Sequence, residues 1–176
     1  CDVVNRGVAV YNDKVIFGSL DGRLIALDSK SGEQIWETRT VPLEEPYTIT
    51  GAPRIVKGKV IIGNGGGEFG VRGFITANNI NTGQQVWRMY STGPEEEVGF
   101  PGSIETWKGD EWKRGGGTTW GWYSYDPKMD LLYYGTGNPG SWNPDQRPGD
   151  NKWSMTIFAR DPDTGIAKWA YQKTPH

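Results

Sequence analysis

One eleven-residue pattern recurs three times in this chain, and it narrows the fold more than any other feature. It reads ALDSKSGEQIW at 26–36, ANNINTGQQVW at 77–87 and ARDPDTGIAKW at 159–169. The shared skeleton is Ala-x-Asp/Asn-x-x-Ser/Thr-Gly-x-x-x-Trp. Self-similarity in fixed register marks an array of like supersecondary units.

Each copy is built around a turn. Asp28, Asn79 and Asp161 precede it, where a short polar side chain can accept hydrogen bonds from the backbone two residues on. Gly32, Gly83 and Gly165 supply the positive φ that closes a tight turn without Cβ strain. Alternating apolar residues flank the turn, as in Arg23-Leu24-Ile25-Ala26-Leu27 and Gln34-Ile35-Trp36-Glu37-Thr38. That is the pattern of two strands joined by a hairpin loop. The closing Trp36, Trp87 and Trp169 are large and apolar, with one N–H to satisfy. Their shared register predicts rings that pack on the neighbouring unit and bond a backbone carbonyl there.

Two further alternating runs precede each copy. The first unit has strands at 7–11, 14–18, 23–27 and 34–38. The second has them at 53–56, 59–63, 74–77 and 84–89, and the third at 119–125, 131–135, 155–159 and 167–171. Tandem four-stranded antiparallel sheets read as β-propeller blades, here covering 7–40, 49–92 and 115–174 within one partial propeller domain over 1–176. The fold class expected is all-β.

Propellers typically close with about 4–8 blades, so three blades read as an internal piece of a longer protein. The net charge of −2 offers no electrostatic case for nucleic acid. No apolar run approaches the roughly 18 residues of a membrane span. The lone Cys1 and the lone His176 argue against a zinc site or a His-based triad. The stretches 93–114 and 138–152 are long, polar insertions beside the third unit, and loops longer than about 12–15 residues are often functional.

Several clusters carry candidate chemistry. Gly65-Gly66-Gly67-Glu68-Phe69-Gly70 fits G-x-G-x-x-G, but a strand-like run follows rather than a helix, which rejects a dinucleotide fingerprint. What remains is a glycine backbone that a flat ligand can approach, with one carboxylate in its midst; a β-bulge with a solvated Glu is the plainer reading. Gly115-Gly116-Gly117-Thr118-Thr119-Trp120 leads glycines into hydroxyls and an aromatic. Trp120 is a candidate stacking platform and Thr118 a candidate donor, against the alternative of a blade-edge aromatic. Asn138 can offer an oxygen to a hard cation or serve as a turn residue. Arg6 can form a fork with a carboxylate ligand or an inter-blade ion pair.

These segments together resemble the pyrroloquinoline-quinone (PQQ) alcohol dehydrogenases, and most of all the large subunits of the methanol dehydrogenases. The resemblance runs from end to end. It is carried by CDVVNRG at 1–7, ITGAP at 49–53, GEFGVRG at 67–73, GGGTTWGWY at 115–123, YGTGNP at 134–139, RPGDNKW at 147–153 and YQKTPH at 171–176. It implies an eight-bladed propeller whose Trp-ended repeats are tryptophan-docking motifs. It implies that Cys1 is the second partner of a disulfide between adjacent cysteines that covers one face of PQQ. Trp120 is implied to stack on the other face. Arg6, Thr50, Thr118 and the backbone at Gly65, Gly66 and Gly67 are implied to hold the cofactor's oxygens. Glu68 and Asn138 are implied to bind the metal, a lanthanide(III) or Ca2+ ion.

The resemblance also implies hydride transfer from a small primary alcohol to metal-activated PQQ, with electrons passing to a cytochrome c in the periplasm. The family's general-base Asp lies just beyond the Thr-Pro-His stretch, past His176, so these 176 residues alone are expected to be inactive. The Gly-Gly-Glu-Phe wording at 66–69, with Gly67 where the calcium enzymes tend to carry Ala, favours the lanthanide group. A homodimer or a small partner subunit stays open. So do two alternatives, a non-catalytic periplasmic propeller scaffold and a quinoprotein for larger alcohols.

Overall fold

The computed structural model describes residues 3–175. Its twelve strands form three four-stranded antiparallel sheets, each ordered as the chain runs. The first sheet holds β1 (Ala9–Tyr11), β2 (Lys14–Gly18), β3 (Arg23–Asp28) and β4 (Gln34–Arg39). The second holds β5 (Arg54–Val56), β6 (Lys59–Gly63), β7 (Phe74–Asn79) and β8 (Gln85–Tyr90). The third holds β9 (Tyr123–Asp126), β10 (Leu131–Gly135), β11 (Thr156–Arg160) and β12 (Ala167–Gln172). The middle sheet is covered on both faces. Val60, Ile61 and Ile62 are therefore all fully buried in succession rather than alternating.

The repeat is geometrically threefold. Asp28 Oδ1 accepts from the amides of Lys30 and Ser31, Asn79 from those of Asn81 and Thr82, and Asp161 from those of Asp163 and Thr164. Gly32, Gly83 and Gly165 have φ of 75°, 74° and 78°. The alanine of each copy pairs with its tryptophan across the ladder, and a register shift follows that alanine in all three sheets. The shared bulge was not visible in the strand pattern, because an extra residue changes alternation only after the pairing partner is known.

The tryptophans join the sheets. Trp36 Nε1 donates to Ile80 O and Trp87 Nε1 to Pro162 O, both at 3.1 Å and both buried. Each acceptor directly follows the Asx residue of the next repeat. The ring lies flat over that repeat's glycine: a Cβ on Gly83 would stand 2.6 Å from Trp36, and one on Gly165 would stand 2.8 Å from Trp87. Burying a tryptophan removes roughly 150–250 Å² from water, on the order of 4–6 kcal/mol before ordering costs. Trp169 instead lies against Tyr133 and is 43% exposed.

Two differences from the strand reading bear on the site. The first is that β9 begins at Tyr123, not Thr119. The backbone of the preceding segment bonds to other loops: Thr119 N donates to Asn64 O at 2.9 Å, and Gly137 N donates to Thr118 O at 2.8 Å. The second is a 3-10 turn at Gly67–Phe69 inside the glycine-rich loop. Stretch 93–114 also folds into a short helix α1 (Glu95–Val98) and two 3-10 turns, Ile104–Thr106 and Glu111–Arg114.

Candidate functional site

In each sheet the first-to-second and third-to-fourth strand turns lie at one edge. The second-to-third loops and the connections between sheets lie at the other. The long loops therefore gather on one rim, and the candidate residues all belong to it: Arg6 before β1, Thr50 between β4 and β5, 65–68 between β6 and β7, 118–120 between β8 and β9, and Asn138 after β10.

Three of these connections are zipped by their backbones. Gly116 bridges in parallel with Arg72 and antiparallel with Pro139. Gly73 N donates to Gly116 O at 2.6 Å, Gly117 N to Asn138 O at 2.9 Å and Gly140 N to Gly115 O at 3.1 Å. No side chain fits at the seam. A Cβ on Gly116, whose φ is 63°, would meet Gly140 N at 2.6 Å and Asn138 O at 2.7 Å. The 115–117 glycines thus serve close backbone approach, which brings the Glu68, Trp120 and Asn138 loops together.

The result is a cavity of about 280 Å³ lined by Val4, Arg6, Thr50, Gly65, Gly66, Gly67, Glu68, Thr118, Trp120, Asn138 and Trp142. That is near the lower bound of about 300 Å³ for small-molecule pockets. Every residue singled out from the sequence lines it except Cys1, which lies outside the described residues. A larger cavity of about 520 Å³ adjoins it, sharing Gly67, Glu68 and Trp142.

The lining divides by chemistry. Trp120 presents a 43% exposed ring, with the Arg6 guanidinium 4.9 Å from its centroid. Arg6 Nη1 donates to Thr50 Oγ1 at 2.6 Å and to Thr50 O at 3.3 Å. This holds a cation over the Trp120 ring, where an anionic ligand group can meet it. No ion pair of Arg6 with a carboxylate side chain is seen among the described residues. Thr118, 6% exposed, and Gly67 face one another: a Cβ on Gly67 would approach Thr118 Oγ1 at 3.3 Å. The Asn138 amide nitrogen donates to Pro139 O at 3.0 Å, so the side-chain oxygen is not used in that bond. Glu68 lines the same cavity, so the lining carries two residues with hard oxygen donors. Calcium-like ions take about 6–8 oxygens, so the set calls for further donors from a ligand rich in oxygen.

Behind the Glu68 loop sits Arg72. Its guanidinium stacks on Tyr90 at 3.7 Å and Trp112 at 4.9 Å, donates from Nε to Thr92 O at 2.6 Å and pairs with Glu97 at 2.6 Å. Burial pushes the Arg72 pKa down, and the Glu97 carboxylate opposes that shift. Val4, Trp142, Arg72 and Asn64 escaped the sequence reading. Each looks like an ordinary loop residue, and only long-range packing brings it to the site.

The lining offers groups that fit a flat, oxygen-rich, anionic cofactor with a hard cation: an aromatic plate, a cation over it, a hydroxyl beside a glycine wall, and two residues with hard oxygen donors. The chain matches the family described as PQQ, glucose/ethanol/alcohol dehydrogenase β-propeller domain, over residues 2–176. It is 57% identical to the lanthanide-dependent methanol dehydrogenase of Methylacidiphilum fumariolicum, covering 99% of this chain and 31% of that protein. It is 48% identical to methanol dehydrogenase (cytochrome c) subunit 1 of Methylorubrum extorquens, covering 100% of this chain and 31% of that one. Among solved structures, a europium-containing methanol dehydrogenase superposes with a TM-score of 0.95 at 56% identity, over 99% of this chain and 33% of its own. The chain thus spans about a third of the length of the relatives it matches.

Proposed function

We propose that this chain, which belongs to the PQQ-dependent glucose/ethanol/alcohol dehydrogenase β-propeller family, forms the cofactor and metal wall of a methanol or small primary alcohol dehydrogenase. The observation that carries the reading is the convergence of Trp120, Arg6, Thr50, Thr118, Glu68 and Asn138 on one cavity. Bound there, PQQ supplies the hydride acceptor and the cation supplies the Lewis acid that polarises it.

The chain's own residues then have defined tasks. Trp120 fixes the plane in which the cofactor lies. Arg6, oriented by Thr50, neutralises a carboxylate at the cofactor's edge, and Thr118 and the backbone at Gly65, Gly66 and Gly67 give in-plane hydrogen bonds. Glu68 and Asn138 would hold the cation. The opposite face falls to Cys1 and a preceding cysteine. An aspartate following this chain accepts the alcohol's proton as general base. The whole protein is an eight-bladed periplasmic enzyme that passes electrons to a cytochrome c. A trivalent ion suits the site, because it draws electron density from the cofactor more strongly than calcium.

Growth of a host expressing the full-length protein with both calcium and lanthanum, followed by metal and quinone analysis, tests this reading. A lanthanide and PQQ in about equal amount, with PQQ reduced on adding methanol, is the expected result. Calcium alone overturns the lanthanide assignment, and no quinone overturns the function.

A further inference from the structure

Asn64 is fully buried and stands at the base of the Glu68 loop. Its side chain joins the two ends of that loop. Nδ2 donates to Gly65 O at 3.1 Å and to Arg72 O at 3.4 Å, and Oδ1 accepts from Phe74 N at 2.8 Å. Its backbone carbonyl accepts from Thr119 N at 2.9 Å. One residue therefore touches both halves of the site.

Thr119 makes that second contact rigid. It is 1% exposed, and its side chain points away from the cavity that Thr118 and Trp120 line. Its hydroxyl donates to Phe74 O, and its carbonyl accepts from the Tyr123 hydroxyl at 2.6 Å. A Cβ on Gly63 would overlap the Thr119 side chain, so glycine there lets the threonine seat against β6. Phe74, which bonds both the Asn64 amide and the Thr119 hydroxyl, closes the circuit.

We propose that Asn64 is a positioning residue that makes the Glu68 loop and the 118–120 segment a single wall. It touches neither metal nor cofactor. It sets the distance between the metal ligand on one segment and the stacking ring on the other. The metal part of the inference rests on the proposed function, whereas the coupling of the two segments does not.

Hydrogen exchange on the full-length protein, without added cofactor, compares the parent with Asn64→Ala. Peptides spanning 65–74 and 117–122 exchange faster together in the variant, while those spanning 14–39 are unchanged. Terbium titration in the presence of PQQ, read by tryptophan-sensitised emission, shows a Kd higher by about tenfold, the scale seen when supports behind metal ligands are removed. Faster exchange in 65–74 alone overturns the shared wall. A terbium Kd within about twofold of the parent overturns the positioning role, leaving only support of the fold. If the parent takes up no terbium even with PQQ present, the proposed function fails, and the exchange pattern still decides the coupling. Asn64→Asp serves where the alanine variant does not fold. It keeps the shape and the bond from Phe74 N but loses both donated bonds. Failure of both variants to fold overturns the proposal, because Asn64 then supports the whole domain.

Discussion

At the scale of single residues, the glycine of the repeat does two jobs that substitutions can separate. Gly32, Gly83 and Gly165 share a left-handed backbone, but only Gly83 and Gly165 lie beneath a tryptophan; a Cβ on Gly32 meets nothing within 4 Å. Gly32→Ala therefore pays the backbone term, about 1–2 kcal/mol. Gly83→Ala and Gly165→Ala add an overlap with a buried ring, a further ~1–3 kcal/mol. Urea unfolding should rank Gly58→Ala, at a positive-φ glycine of the middle sheet with open space around it, milder than Gly83→Ala and Gly165→Ala; equal losses would refute the docking account. Trp120 allows a second expectation. Trp120→Ala removes the plate and the partner of Arg6, and PQQ affinity in the full-length protein should fall by about tenfold or more. Trp120→Phe should fall less, as measured by equilibrium binding of PQQ; an unchanged affinity in the alanine variant would place the cofactor elsewhere.

At the scale of elements, the seam between the second and third sheets has a charged end beside its tryptophan. Lys57, on the β5–β6 turn, reaches Asp130 at 2.8 Å and Asp163 at 2.5 Å, and Lys59 reaches Asp163 at 2.6 Å. Hydrogen bonds to Lys57 hold the Asp163 and Asp130 carboxyls below their ordinary value of 3.8, and those carboxylates raise Lys57 above its ordinary 10.5. A lowered carboxyl stabilises the fold above its unfolded value and loses that contribution as pH falls through its folded value. A raised lysine stabilises below its unfolded value and loses it as pH rises through the folded one. The contribution is complete between about 4 and 10, and small because the groups are largely exposed. The melting temperature of Lys57→Met should sit below the parent's at pH 7, and the gap should shrink as pH falls below the ordinary carboxyl value of 3.8; a gap that does not shrink in acid would show that packing, not charge, is responsible. Elements were also where the sequence was most legible. Turn residues and alternation are local, so the strands could be placed from Asp28, Gly32 and their counterparts. The segment 119–122 was read as ladder because the partners of Thr119, Asn64 and Phe74, lie far away in the chain. The lining residues Glu68, Trp120 and Asn138 were recognised from motif wording, whereas Val4, Trp142 and Asn64 have significance only through contacts that no local pattern encodes.

At the scale of the molecule, the proposed reading has the rim cavity supply binding and orientation, with the general base outside these 176 residues. The 176 residues produced alone should show no PQQ-linked alcohol oxidation in a dye-reduction assay, while the full-length protein turns over. Activity of the short chain would mean that the general base lies within it. The tryptophan joint has one further consequence. A ring on one sheet enters a socket on the next, so each contact is head-to-tail and its two sides are unlike. Such a contact has no two-fold axis: repeated, it must either close into a ring or grow without end. Trp169 and Gly32 are the two unlike sides at the ends of this array. The three sheets therefore have a polarity, like beads strung with hooks facing one way, and blade number rather than affinity decides whether the string closes or becomes a fibre.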